Sequence, residues 1–203
     1  MYRKLAIRIT DCFINKDIIL EQKKAIYYYG FELLISSIIY FLIFLLISLV
    51  TKSLIASFFF WLGLFLIRKT AGGHHSNSYK KCHLLFAANH TFFVILLKTI
   101  PTPYYFYVNT SILILSILSI LIFAPVDHKN KPFIKTEYKR FKLFSKIYCI
   151  ILLLIGVFSI INIIPPSSYF FGFSFGSLSA TISLLFAKII RFKERKKNHE
   201  KNH

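Results

Sequence analysis

Apolar residues in this chain fall in long blocks, and compact basic or proline-containing breaks separate them. Six blocks read as membrane segments. Residues 31–50 form the clearest, interrupted only by Glu32 near its start. Residues 53–67 number only 15, short of the roughly 20 a straight span needs. That block is expected either to thin the bilayer locally or to be a re-entrant piece buried in protein. Residues 84–100 carry Asn89, His90 and Lys98, of which Asn89 and His90 are expected to hydrogen-bond between helices. Residues 104–124 and 147–164 are of ordinary length. Residues 169–190 contain Gly172, Gly176, Ser177, Ser179 and Ala180, small side chains that let helices approach closely, within one chain or between two copies.

Ahead of these blocks, Tyr2, Leu5, Ile9, Cys12 and Phe13 recur at helical spacing, with Arg3, Lys4, Arg8 and Asp11 elsewhere on the wheel. The pattern predicts an amphipathic helix over 2–14 lying on the membrane surface, with Cys12 packed on its apolar face. Cys149 and Trp61 are likewise expected to be packing residues. The expected fold is an all-α, polytopic membrane bundle of about six segments plus the surface helix. Residues 1–203 form one domain, with an amphipathic region at 1–28 and a basic tail at 191–203.

Composition strengthens this picture. At 203 residues and 56% hydrophobic, the chain holds more apolar surface than one soluble core of its size can hide. Its 26 basic side chains against 8 acidic would suggest nucleic acid in a soluble protein. Here no nucleic-acid motif accompanies the charge, and the basic residues sit between the apolar blocks, so they read as orientation signals and contacts to anionic lipid. With the N-terminus inside, 6 fall before the first span, 4 in 68–83, 7 in 129–146 and 6 from Arg191 onward. Lys188 lies at the inner end of the last span, and only Lys52 and Lys98 fall outside. That asymmetry predicts an even number of spans, both termini cytoplasmic, and residues 68–83 on the cytoplasmic side. Cys12, Cys82 and Cys149 cannot all pair, so no disulfide framework is expected. Arg8 and Asp11 interrupt the first apolar stretch, so no signal peptide is expected either.

The polar island 68–83 carries the candidate chemistry. It holds a Gly pair, three of the seven His and one of the three Cys. A thiol attacks a carbonyl well only as thiolate, and so needs a base or a cationic, helix-N-terminal setting. Cys82 is expected one or two turns into a helix that Ser76, Asn77 or Ser78 could cap, with Arg68, Lys80 and Lys81 adding positive potential. His83, the next residue, points about 100° away on a helix. His75 is seven residues back, about 10 Å of rise on a straight helix, so pairing with Cys82 requires the chain to turn between them. Ser76-Asn77-Ser78 suits such a turn, and Gly72-Gly73 would let backbone approach a substrate chain. The residues alone leave three readings open: a nucleophilic Cys/His pair, a structural or zinc cluster of His74, His75, Cys82 and His83, and a solvated loop. A small transporter or channel, its path marked by Glu32, His90, Lys98 and Asp127, is the rival of another class.

The run Arg68…Gly73-x-His75…Cys82 resembles the signature of the accessory gene regulator B family, membrane peptidases that process quorum-sensing peptide precursors. Tyr29-Gly30-Phe31-Glu32 is similar to that family's Gly-Leu-Glu at the head of its first span, with Phe31 where Leu is usual. Ala124-Pro-Val-Asp127-His-Lys-Asn-Lys-Pro132 is similar to the family's segment after the fourth span. The resemblance implies a cysteine endopeptidase at the inner face of the bacterial cell membrane, with Cys82 as nucleophile and His75 as general base, then acid. It implies cleavage between the signal segment and the C-terminal tail of a precursor, a thioester on Cys82, and release as a thiolactone or lactone ring. Family precursors have an amphipathic leader and an acidic tail, which makes Lys129, Lys131, Lys135, Lys139 and Arg140 candidate tail receivers as well as topology determinants. Arg68 is a candidate oxyanion donor or loop anchor, and Gly73 a close-approach position. Asp127 is a candidate to orient His75, pair with Arg68 or cap a helix. Glu32 is expected to meet a cation or a hydrogen-bond network, because a carboxylate at a span boundary is costly unpaired. Neither cofactor nor metal is expected.

Overall fold

In hydrocarbon, a backbone can satisfy its own N–H and C=O groups only in a helix or a closed barrel. The computed structural model, which describes residues 2–71, 79–126, 133–161 and 167–201, makes every apolar block helical. Its α-helices are α1 (Tyr2–Asn15), α2 (Lys24–Val50), α3 (Leu54–Ala71), α4 (Tyr79–Thr99), α5 (Tyr105–Phe123), α6 (Lys135–Ile160) and α7 (Ser168–Lys201). Five of them (α2, α4, α5, α6 and α7) are long and apolar enough to cross a membrane, and α3 contributes the shorter apolar stretch Leu54–Arg68. The chain is thus a polytopic helical bundle.

Contacts at fixed registers give the directions of these helices. Ser36 meets His83, Tyr40 stacks on Phe86 and Phe44 on His90, so α2 and α4 run parallel. Tyr105 stacks on Phe171 and Lys188 Nζ reaches the Ile122 carbonyl at 3.4 Å, so α5 and α7 run parallel. Gly156 faces Leu113 and the Cys149 thiol faces the Ile117 carbonyl at 4.0 Å, which sets α6 antiparallel to α5. A tight turn at Lys52, with φ of 53°, reverses the chain between α2 and α3. Directions therefore alternate along the bundle. The C-terminal ends of α3 and α7 share one end with the N-terminal ends of α2, α4 and α6, the end where the basic residues gather.

The tightest packing joins α3 to α7. A Cβ placed on Gly172 would strike the Ala56 carbonyl oxygen, one on Gly176 that of Phe60, and one on Gly63 that of Phe173. Lipid is as apolar as leucine, so close backbone approach and van der Waals contact hold such helices together. The small-residue face of 172–180 is used here within one chain, and α3 is a continuous helix seated against it.

Around this seam lies a phenylalanine-rich core with Phe60, Phe93 and Phe171 fully buried. The His90 ring lies nearly parallel to Phe44 and Phe60, at centroid distances of 5.5 and 5.3 Å, and its Nε2 is 2.9 Å from Ser57 Oγ. Ser179 donates to Asn89 Oδ1 at 3.2 Å. Asn89 and His90 thus bond between helices, as their types and positions suggest. Cys149 is buried, and Trp61 is half-buried on Phe65.

Two sequence expectations change. The basic stretch from Lys135 is the opening of α6 rather than a connection, and Glu137 accepts from the Ile134 backbone N–H at 3.3 Å at its start. Phe141 stacks on Phe133 while Lys135, Lys139 and Arg140 face outward. On α1, Cys12 is exposed rather than packed. The small residues Ala6 and Thr10 are the ones buried, with Lys24 Nζ 2.8 Å from Asp11 and Phe13 against Phe31. Approach through small side chains turns Leu5 and Cys12 away from α2 and leaves them uncovered by this chain.

Candidate active site

Three helices meet at the basic end: α3 with Arg68 in its last turn, α4 with Cys82 in its first, and α2 passing beside them. Along α2, Glu32, Ser36 and Tyr40 are spaced four apart and so share one face. Each has a partner across that face.

Cys82 stands in the first turn of α4, half-buried, with a free thiol. Unsatisfied N–H groups make a helix N-terminus the positive end of its dipole, which favours a sulfur anion there. Lys80 and Lys81 flank it on the exposed side.

His83 is buried and engaged elsewhere. Its Nε2 lies 3.1 Å from the Ser36 carbonyl oxygen and 3.2 Å from Ser36 Oγ. A carbonyl only accepts, so Nε2 carries the proton in this arrangement. The neighbouring imidazole thus fastens α4 to α2.

Tyr40 is the residue that reading the sequence missed. It is half-buried with its ring stacked on Phe86 at 3.8 Å. It lies within electrostatic reach of both Arg68 and Cys82. Inside an unbroken apolar run a tyrosine reads as one more large side chain; the available signal was its eight-residue distance from Glu32, two turns along the same face.

Glu32 is buried and meets a cation, as expected: Arg3 Nε of α1 lies 3.9 Å from Oε1. Its partner comes from the surface helix rather than from the island. Lys135, Lys139 and Arg140 stand exposed on the opening turns of α6, with the Arg140 guanidinium 5.4 Å from the centre of the Phe144 ring. Gly73, His74, His75, Asp127, Lys129 and Lys131 lie outside the described residues. Among those described, no three His, Cys, Asp or Glu residues are grouped as metal ligands. Of the described groups that would mark a conduction path, Glu32 pairs with Arg3 of α1, His90 sits among phenylalanines, and Lys98 is exposed in the last turn of α4.

These features define a class, a multi-pass helical membrane protein with a free thiol at a helix start, at the basic end of its bundle. The family model for accessory gene regulator B matches residues 6–184, and the chain belongs to that family. No curated protein and no solved structure matches it. Membership gives the chain a processing role in the maturation of quorum-sensing peptides.

Proposed function

We propose that the protein is a membrane cysteine endopeptidase that cuts the C-terminal tail from a quorum-sensing peptide precursor and closes the remaining segment into a ring. The observation that carries this reading is the family match, which spans both His75 and Cys82, together with the free, half-buried thiol at the start of α4.

In this scheme His75 takes the Cys82 proton and the thiolate attacks the scissile carbonyl. The tetrahedral intermediate collapses with loss of the C–N bond, and His75 gives its proton to the departing amine. The signal segment is left as a thioester on Cys82. An internal thiol or hydroxyl of the same peptide then attacks that thioester, its proton passes to the Cys82 sulfur, and the product leaves as a thiolactone or lactone. Where the attacking group is a thiol, one thioester replaces another and little bond energy is lost, which suits a cysteine enzyme to cyclisation. The site would lie at the cytoplasmic face of a bacterial membrane, both termini inside, with the uncovered Leu5 side of α1 against lipid.

The intermediate gives a direct test. Mixing precursor with the purified protein and quenching early should yield a covalent adduct on Cys82, identifiable by mass spectrometry and released by neutral hydroxylamine. Cleavage with no adduct at any time point, or an adduct on another residue, would count against the scheme.

The basic opening of α6, with the Lys129 and Lys131 segment before it, is the proposed receiver of an acidic tail. Reversing Lys135, Lys139 and Arg140 together to Glu should raise the KM for precursor about tenfold at low salt, since several exposed charges act together and each alone is weak. The difference from wild type should shrink as salt rises. An unchanged KM in correctly inserted protein would remove this role.

A further inference from the structure

Of the histidines in 68–83, His83 is the one whose surroundings are described, and the cleavage scheme does not use it. It directly follows Cys82 in the chain. Lys80 and Lys81 are exposed and Cys82 is half-buried, so His83, 5% exposed, is the first described side chain of α4 to be enclosed. Leu84 and Leu85 are exposed again, and the next enclosed side chain is Phe86. The turn that carries the thiol therefore has its nearest anchor in His83.

An anchor matters most at a helix start. The first four N–H groups of a helix have no partner within it, and end turns open more readily than interior ones. His83 opposes that opening through α2. Its Nε2 lies 3.1 Å from the Ser36 carbonyl oxygen and 3.2 Å from Ser36 Oγ. Tyr40, one turn further along α2, sets its ring 5.8 Å from the imidazole, tilted by 55°. A carbonyl oxygen has two lone pairs, so that of Ser36 can take this N–H as well as the helical one from four residues on. Being main chain, the acceptor cannot swing away as a side chain could.

From these contacts we propose that His83 is a positioning residue for peptide cleavage: its bond to Ser36 clamps the first turn of α4 against α2 and fixes where the Cys82 sulfur stands for attack. This rests on the cysteine-peptidase reading. It adds that α2 supplies a backbone group to the framework of the site. It also divides two roles between histidines of one island, His75 moving protons and His83 holding the helix.

Two amide side chains of different length test it. Glutamine can place its amide N–H near the position of Nε2, whereas asparagine is one carbon shorter and ends near Nδ1, out of reach of Ser36. His83→Gln, His83→Asn and Cys82→Ala are compared with wild type as full chains in proteoliposomes, using a precursor peptide that the wild type cleaves. His83→Asn should lower kcat about tenfold with KM unchanged, since a small misplacement of the nucleophile is costly while the peptide still binds. His83→Gln should stay within about threefold of wild type, because one neutral hydrogen bond replaces another. Hydrogen exchange of the backbone amides of 83–86 is a readout that needs no catalysis. It should be faster in His83→Asn and at the wild-type rate in His83→Gln.

Wild-type turnover or exchange in His83→Asn, a change confined to KM, or a His83→Gln as slow as His83→Asn would each overturn the inference. Should His83→Asn accumulate too poorly to assay, His83→Gln decides: wild-type exchange and turnover uphold the clamp, and a loss in either overturns it. Where Cys82→Ala is inactive in the same assay, an overturning result counts against His83 alone. Cleavage surviving in Cys82→Ala overturns the peptidase reading and the inference with it.

Discussion

Cys82→Ala should insert and accumulate like the wild type and leave the precursor uncut, a fall of about ten-thousandfold or more in cleavage. The structure makes the variant a clean one. Residue 82 is half-buried in the first turn of α4, where alanine is a good helix former and a lost sulfur leaves little cavity. The loss therefore reports chemistry rather than folding. Cys82→Ser should be nearly as inactive, because a hydroxyl needs a much stronger base than a thiol does. His75→Ala should lose a similar amount, and His75→Ala combined with Cys82→Ala no more than either alone, since nucleophile and base act as a unit. Quantifying intact and cut precursor in membranes expressing each variant at matched levels checks all of these. Cleavage persisting in Cys82→Ala would end the nucleophile assignment.

The largest structural effect is expected at Gly176. A Cβ there would meet the carbonyl oxygen and carbon of Phe60, with the Leu64 backbone nitrogen close by at 3.0 Å. All three are main-chain atoms, so no rotamer change can make room and α3 and α7 must part. Phe60 also touches His90, Phe93 and Phe175, so displacing it disturbs α4 as well as α7. Gly176→Val should cost about 3 kcal/mol or more, at the upper end of what overpacking does, and the protein should largely fail to accumulate. Gly30→Ala is the control. Nothing lies within 4 Å of a Cβ at that position, so the variant should match wild type or be slightly more stable. Membrane-fraction yield and thermal stability in detergent separate the two. A well-folded Gly176→Val would mean that this seam is not as close as described.

The fold was largely legible in the sequence because bilayer thickness and the absence of water leave few solutions for a long apolar block. Even the uncertain block at 53–67 was recognisable as an exception by its length. The limits of α6 were less legible. Apolar residues mark where a helix is buried in lipid, not where it stops, and the turns carrying Lys135, Lys139 and Arg140 continue the same backbone ladder into a basic, outward-facing region. On α1 the apolar stripe did not show which residues meet the rest of the chain, because a helix that meets a neighbour closely does so through its smallest residues, here Ala6 and Thr10. At the site, Cys82 stood out by residue type and setting, and Glu32 by the cost of a carboxylate at a span boundary. Tyr40 did not, because hydropathy cannot separate a tyrosine that faces lipid from one stacked inside the bundle. Only the register between α2 and α4 makes that distinction.

The seam between α3 and α7 has a consequence for how the protein is made. The two helices lie far apart in the chain, and α3, the shortest of the apolar helices, leaves the ribosome long before the glycines that receive it. Until Ser168 and the residues beyond it have been synthesised, the hollow at Gly63 has no carbonyl to fill it and α3 has no permanent seat. Arg68 rides on the end of that helix. Its place at the basic end of the bundle is therefore settled late in biogenesis, and a chain released short of its last segment would carry the thiol without the surroundings that give it a use.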